Sequence, residues 1–266
     1  MEICYGGLMK NRAFTLAEVL ITLGIIGVVT AMTLPALINK AEKMILKNQF
    51  KKAYSNFYNA VLQTQTNLGG NIACYYWTTG QLCKEKCTSK NQYGTCNAWT
   101  CVDNSPLPSD QNGPRKDCKI FEDELFFNTL KTITFCSNNA LANHCITSDY
   151  KGADEIRKEQ SSDPDYTPDP NGSWSKKRIQ NSNSAYILAD GTLIINYEKH
   201  GSNVPIYAID VNGHKRPNQW GKDIFLLQTF GTISDGITEV KAATMSSYPL
   251  VKDAITTKEM IENMHK

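Results

Sequence analysis

The chain opens with a long apolar run and then changes its rhythm twice. From Phe14 to Ile38 there are 25 residues with one formal charge, Glu18. As a helix rising 1.5 Å per residue, that run is about 37 Å long and spans a bilayer with some tilt. Beyond Pro35 the apolar positions thin out to Leu46, Phe50, Ala53, Phe57 and Val61. Steps of four and three mark one face of an amphipathic helix, and Gly69-Gly70 ends it. The spacing predicts one helix over residues 14–66, kinked at Pro35 because proline removes a backbone hydrogen bond. The membrane-spanning half is 14–38 and the amphipathic half 39–68.

Residues 69–150 lose periodicity. Cys74, Cys83, Cys87, Cys96, Cys101 and Cys118 fall in polar surroundings, which reads as a disulfide-stapled loop region. Within it, "FEDELFFNTLKTITF" at 121–135 suggests a short helix, and Cys136 and Cys145 flank a loop short enough to be a local pair. "EQSSDPDYTPDPNGS" is a proline-punctuated surface loop. In 151–266 the period becomes two. "SAYILADGTLIINYEKH" is a hairpin around Asp190-Gly191, and Ile206–Val211 and Ile224–Phe230 add two more strands. The tail from Thr232 is polar, with a weak terminal helix near 252–264. One long helix on an antiparallel sheet of about four strands, with a disulfide-rich loop insertion, is an α+β fold.

Net charge is +2, so charge names no partner. The nine cysteines matter more: eight lie between Cys74 and Cys145, an even set suited to disulfides in an exported chain. Zinc competes weakly, because Cys83-x3-Cys87 and Cys96-x4-Cys101 are looser than finger spacings. Lys40, Lys43, Lys47, Lys51 and Lys52 follow the span and by themselves put that side in the cytoplasm. The cysteines outweigh them, since long domains translocate largely regardless of charge. The lysines meet lipid phosphates, acids on a neighbour, or solvent. No G-x-S-x-G, H-E-x-x-H or phosphate loop is present, which argues against an enzyme.

Glu18 remains to be explained. A charge in a span costs about 2.5–3.5 kcal/mol at the centre and less near an end, and such a group is a functional hypothesis by default. A free α-amine at Phe14 would be a fitting partner. Ala17, Gly24, Gly27 and Ala31 put small side chains on one face, as close helix packing in lipid wants. "RAFTLAEVLITLGIIGVVTAMTLP" resembles the signal of type IV prepilins and type II secretion pseudopilins. The resemblance implies a leader at 1–13, cleavage between Ala13 and Phe14 by a prepilin peptidase, N-methylation of Phe14, and a kink at Pro35. It also implies that Glu18 binds the amine of the adjacent subunit. Ala13 departs from the family's usual Gly. The family often closes a C-terminal loop with a disulfide, whereas no cysteine follows Cys145. Met9 is an alternative start giving the leader "MKNRA", without Cys4.

The resemblance points to a structural subunit of a pilus or secretion pseudopilus. Its partners are other pilin or pseudopilin subunits, and it sits single-pass in the inner membrane with an extracytoplasmic head. The cysteine-rich insert suggests a minor subunit, and Glu18 argues against the large tip-type pseudopilin. A binding module is the alternative, with Lys176, Lys177 and Arg178 beside Trp174 as contacts for nucleic acid. No metal site is assigned. Calcium in "DVNGHKRPNQWGKD", through Asp210, Asn212 and Asp223, competes with a reading of Asn212-Gly213 and Pro217-Asn218 as turns; His214 breaks the EF-hand spacing.

Overall fold

In a computed structural model of the chain, residues 15–70, 85–94, 96–106, 116–172, 174–197, 205–232, 236–243 and 250–264 are described. Two compact units form, Met1–Ile45 and Leu46–Lys266. Helix α1, Leu16–Asn67, contributes to both and continues through Pro35. In the first unit its side chains are exposed throughout. Among the described residues it is the one helix long and apolar enough to cross a membrane. Two of its hydroxyls are satisfied internally: Thr22 Oγ1 donates to the Val19 carbonyl at 3.0 Å and Thr33 Oγ1 to that of Val29 at 2.9 Å. Such back-bonding lets threonine sit in an apolar medium without a bare donor. At the far end Gly69, at φ 86°, turns the chain out of the helix. The Gly70 N–H then reaches the Gln65 carbonyl at 2.7 Å, and the Gly69 N–H reaches Thr66 at 3.2 Å. This is a Schellman stop, and the left-handed φ is why glycine stands there.

The second unit is built on a six-stranded antiparallel meander: β3 (Thr132–Cys136), β4 (Ser184–Leu188), β5 (Leu193–Tyr197), β6 (Ile206–Asp210), β7 (Ile224–Thr232) and β8 (Gly236–Ala242), neighbours in that order. One face takes Phe50, Ala53, Phe57, Ala60 and Val61 of α1 against Ile194, Tyr207, Ile209, Phe225 and Leu227. Phe57 meets Tyr207 and Phe50 meets Phe225 edge-on, at 5.3 and 4.6 Å. Burying one such ring stabilises by about 1.5–3 kcal/mol. The other face buries Leu193, Ile195, Ala208 and Leu226 under the segment 136–180 and Trp220. With both faces covered, β5 and β6 are buried at every residue, which is why "LIINY" and "IYAID" are nearly unbroken apolar runs.

The structure sharpens three expectations. The short helix within residues 121–135 is the end of α2 (Lys116–Asp123) passing into a π-helical turn (Glu124–Thr129), after which Lys131 takes φ 54° and the chain leaves as β3. The cysteine-rich stretch is not all loop, since β1 (Glu85–Lys90) and β2 (Cys96–Cys101) pair antiparallel. The sheet has six strands instead of about four, because β3 and β8 are edges. On β8 only Ile237 and Val240 of the central residues face inward, so its composition reads as polar tail. Helices α3 (Ala153–Gln160), α4 (Lys176–Asn181) and α5 (Thr257–Glu262) complete the fold, α5 lying within the predicted terminal helix.

Candidate functional site: the amino-terminal helix

Ala13 and Phe14, like Cys4 and the leader, lie outside the described residues. The geometry begins at Thr15. Its hydroxyl and backbone N–H both donate to Glu18 Oε2, each at 2.8 Å, and its Oγ1 accepts from the Glu18 N–H at 3.2 Å. This reciprocal pair is a capping box. The T-x-x-E signature at 15–18 is the sequence mark of such a cap. It gives Glu18 a structural reason to exist, since it closes the first turn of α1. Among the described residues no donor reaches Oε1, and the side chain is exposed. The cap turns the Glu18 carboxylate toward the helix start.

Gly24 and Gly27 share that exposed helix, and a Cβ built on either meets nothing within 4 Å. Packing within the chain does not require glycine at those positions. A second helix approaching closely would.

The other predicted site residues are scattered over the second unit. Cys87 is bonded to Cys96 and Cys136 to Cys145. Cys101 and Cys118 are also oxidised, while Cys74 and Cys83 lie outside the described residues. Thiolates tied up in disulfides are not available to the loosely spaced zinc set. The nucleic-acid alternative is left without its aromatic contact. Trp174 is fully buried, packed 5.1 Å from the Tyr197 ring and 5.5 Å from Trp220, and offers no face for a base. The neighbouring cations are engaged by the chain: Lys176 with Glu155 at 2.8 Å, Lys177 with Asn171 Oδ1 at 3.0 Å, and Arg178 with the Asn171 carbonyl at 2.7 Å. Of the lysines after the span, Lys52 pairs with Asp190 in the β4–β5 turn at 3.0 Å.

The loop from Asp210 to Asp223 is built around two buried carboxylates. Asp210 Oδ1 accepts the N–H groups of Asn212 and Gly213, at 3.1 and 2.8 Å, and Oδ2 accepts the Tyr150 hydroxyl. Asp223 accepts the N–H groups of Gln219 and Asn218, at 2.6 and 2.7 Å. Burial, and then the charge of Asp223, pushes Asp210 well above the usual carboxylate range. Burial pushes Asp223 up to about 6 against the pull of its backbone donors. Burial first, and then Asp210, raises the Tyr150 phenol. Two buried amide oxygens, Asn212 Oδ1 and Asn218 Oδ1, have no donor.

Calcium takes six to eight oxygens. Here every carboxylate oxygen of the pair already serves the chain. Among the described residues, no group of three His, Cys, Asp or Glu is placed to hold a metal. The turns at Asn212-Gly213 and Pro217-Asn218 are held by these hydrogen bonds.

No curated protein and no solved structure matches the chain. Residues 8–34, however, match the prokaryotic N-terminal methylation motif. That match falls on the segment where a capped carboxylate and unexplained glycines stand on an exposed apolar helix, and the chain carries there the prepilin signal of a type IV pilin-like or pseudopilin subunit.

Proposed function

We propose that the chain is a structural subunit, and a minor one, of a type IV pilus or type II secretion pseudopilus. It is anchored in the inner membrane with its head outside the cytoplasm until it is drawn into a filament. A prepilin peptidase cuts between Ala13 and Phe14 and methylates the new amine. Glu18 of one copy then accepts that amine from the next. The observation that carries this reading is the methylation motif at 8–34, whose described residues lie on the stretch of α1 that is exposed throughout. An ammonium beside a carboxylate in hydrocarbon is strongly favoured over either charge alone, so the pair sets the register between helices. The cysteine-rich insert, with its stapled β1–β2 hairpin, supports the assignment as a minor subunit.

Mass spectrometry of the mature amino terminus tests the proposal. The expected species begins at an N-methylated Phe14. An intact leader, or a cut after Ala31, refutes it.

A further inference from the structure

Five lysines follow the apolar run of α1, at positions 40, 43, 47, 51 and 52. Among the described residues Lys52 pairs with Asp190, and the other four enter no ion pair. Lys40 and Lys43 are exposed. A step of three residues sets them about 60° apart on the helix. Glu42 is the one acid in residues 19–84. It falls about 100° round the helix from Lys43 and about 160° from Lys40, so neither lysine faces it. Beside them Met44 is 58% exposed and Ile45 55%. An apolar pair next to a basic pair is the composition of a helix segment seated at a lipid interface, where lysine stems lie on apolar surface and the heads reach phosphate.

We propose that Lys40 and Lys43 form a docking surface for the phosphates of anionic phospholipids, which fixes the depth at which the anchored helix stands. The inference rests on the anchored-subunit reading above. Covalent continuity settles what surrounds the two lysines. They are the second and fifth residues after Ile38 in one uninterrupted helix, about 3 and 7.5 Å further along its axis. Once residues 14–38 span a bilayer, those distances lie in the polar headgroup layer, which is about 5–8 Å thick on each side of the hydrocarbon.

The same distances separate lipid from protein as the partner. Lys51 stands about 20 Å past Ile38, more than a Debye length of about 8 Å beyond the headgroups. Acids on a neighbouring subunit serve Lys51 as well as Lys40, whereas phosphates serve only the lysines nearest the span. A lipid contact is therefore graded along the helix.

The test uses the full chain reconstituted in phosphatidylcholine vesicles carrying a trace of spin-labelled phosphatidylglycerol or of spin-labelled phosphatidylcholine. The motionally restricted fraction of each label gives the preference of the chain for the anionic lipid. Phosphatidylglycerol is expected to be preferred, and the preference to collapse in 1 M salt, where the Debye length is about 3 Å. Lys40→Gln and Lys43→Gln each lower it by up to about fivefold. Lys40→Arg retains it, because charge is what binds, and Lys51→Gln leaves it unchanged. Equal restriction of the two labels by the unaltered chain overturns the proposal. So does a preference that survives the double Lys40→Gln, Lys43→Gln variant, or one that Lys51→Gln abolishes. Flotation of the vesicles keeps the underlying reading separate: a chain that floats but shows no preference sinks the lipid contact alone, and a chain that does not float sinks the span beneath it.

Discussion

Gln65 is a glutamine on a helix that completes the edge of a sheet. It is 8% exposed, and its amide makes the paired bonds a neighbouring strand would make: Nε2 donates to the Ile237 carbonyl, and Oε1 accepts the Ile237 N–H at 2.8 Å. Replacing it with alanine removes both bonds at once. Each is worth about 1 kcal/mol net, and a backbone group left buried without a partner costs about 1–3 kcal/mol. Partial access of water to the opened edge moderates the sum, so Gln65→Ala is expected to destabilise the second unit by about 2–4 kcal/mol. Gln65→Glu keeps the size and one acceptor but faces the Ile237 carbonyl with a second acceptor, so it lands in the same range. Tyr54→Phe, which removes the bond to Val240, costs about 1 kcal/mol. The two sites are eleven residues apart, roughly 16 Å along the helix, so their effects add. Gln63→Ala is the control, because that exposed side chain bonds only Asn67 within the same helix, a pair worth about 0.2–0.5 kcal/mol. Urea melts of the full chain in detergent micelles, followed by the fluorescence of buried Trp174 and Trp220, measure all four. If Gln65→Ala lies within about 0.5 kcal/mol of Gln63→Ala, the edge is satisfied by water and the stitching argument is wrong.

Three further outcomes follow from the same geometry. The Asp223 carboxyl titrates near 6 in the fold against about 3.8 unfolded, so the folded state holds the extra proton between those values. Stability therefore falls by on the order of 3 kcal/mol as pH rises from about 4 to 6. Asp223→Asn flattens that slope in melts across the window, and an unchanged slope would assign it to Asp210 or another group. Glu18→Ala leaves the head folded and the chain inserted but sharply reduces filament assembly, read by counting filaments; normal assembly rules out the amine-pairing role. Gly24→Ile leaves the melt of the single chain unchanged, since its Cβ meets nothing, yet reduces assembly because a second helix can no longer approach; full assembly would show that the glycine is incidental.

Much of this protein could be read from local pattern, because the features concerned are local in physics. An apolar run long enough for a bilayer, a three-four stripe such as Phe50, Ala53 and Phe57, and an Asp190-Gly191 turn each follow from neighbours in the chain. The methylation motif is local as well, as is the Thr15–Glu18 cap. What tertiary structure decided concerns partners far apart in sequence. Trp174, exposed by its context of Ser and Lys, is buried because Tyr197 and Trp220 close around it. Ile133 and Phe135 follow a short helix into a strand because Lys131 turns the chain and β4 pairs with it. β8 read as tail because an edge strand buries only part of one face, and its missing hydrogen bonds come from Gln65, 172 positions away. Asp210 and Asp223 are ligand types by residue alone, and only the fold shows them buried and holding the backbone N–H groups of their own loop. Periodicity reports which side of an element is apolar; it does not report what arrives to cover that side, and this depends on contacts that only the folded chain makes.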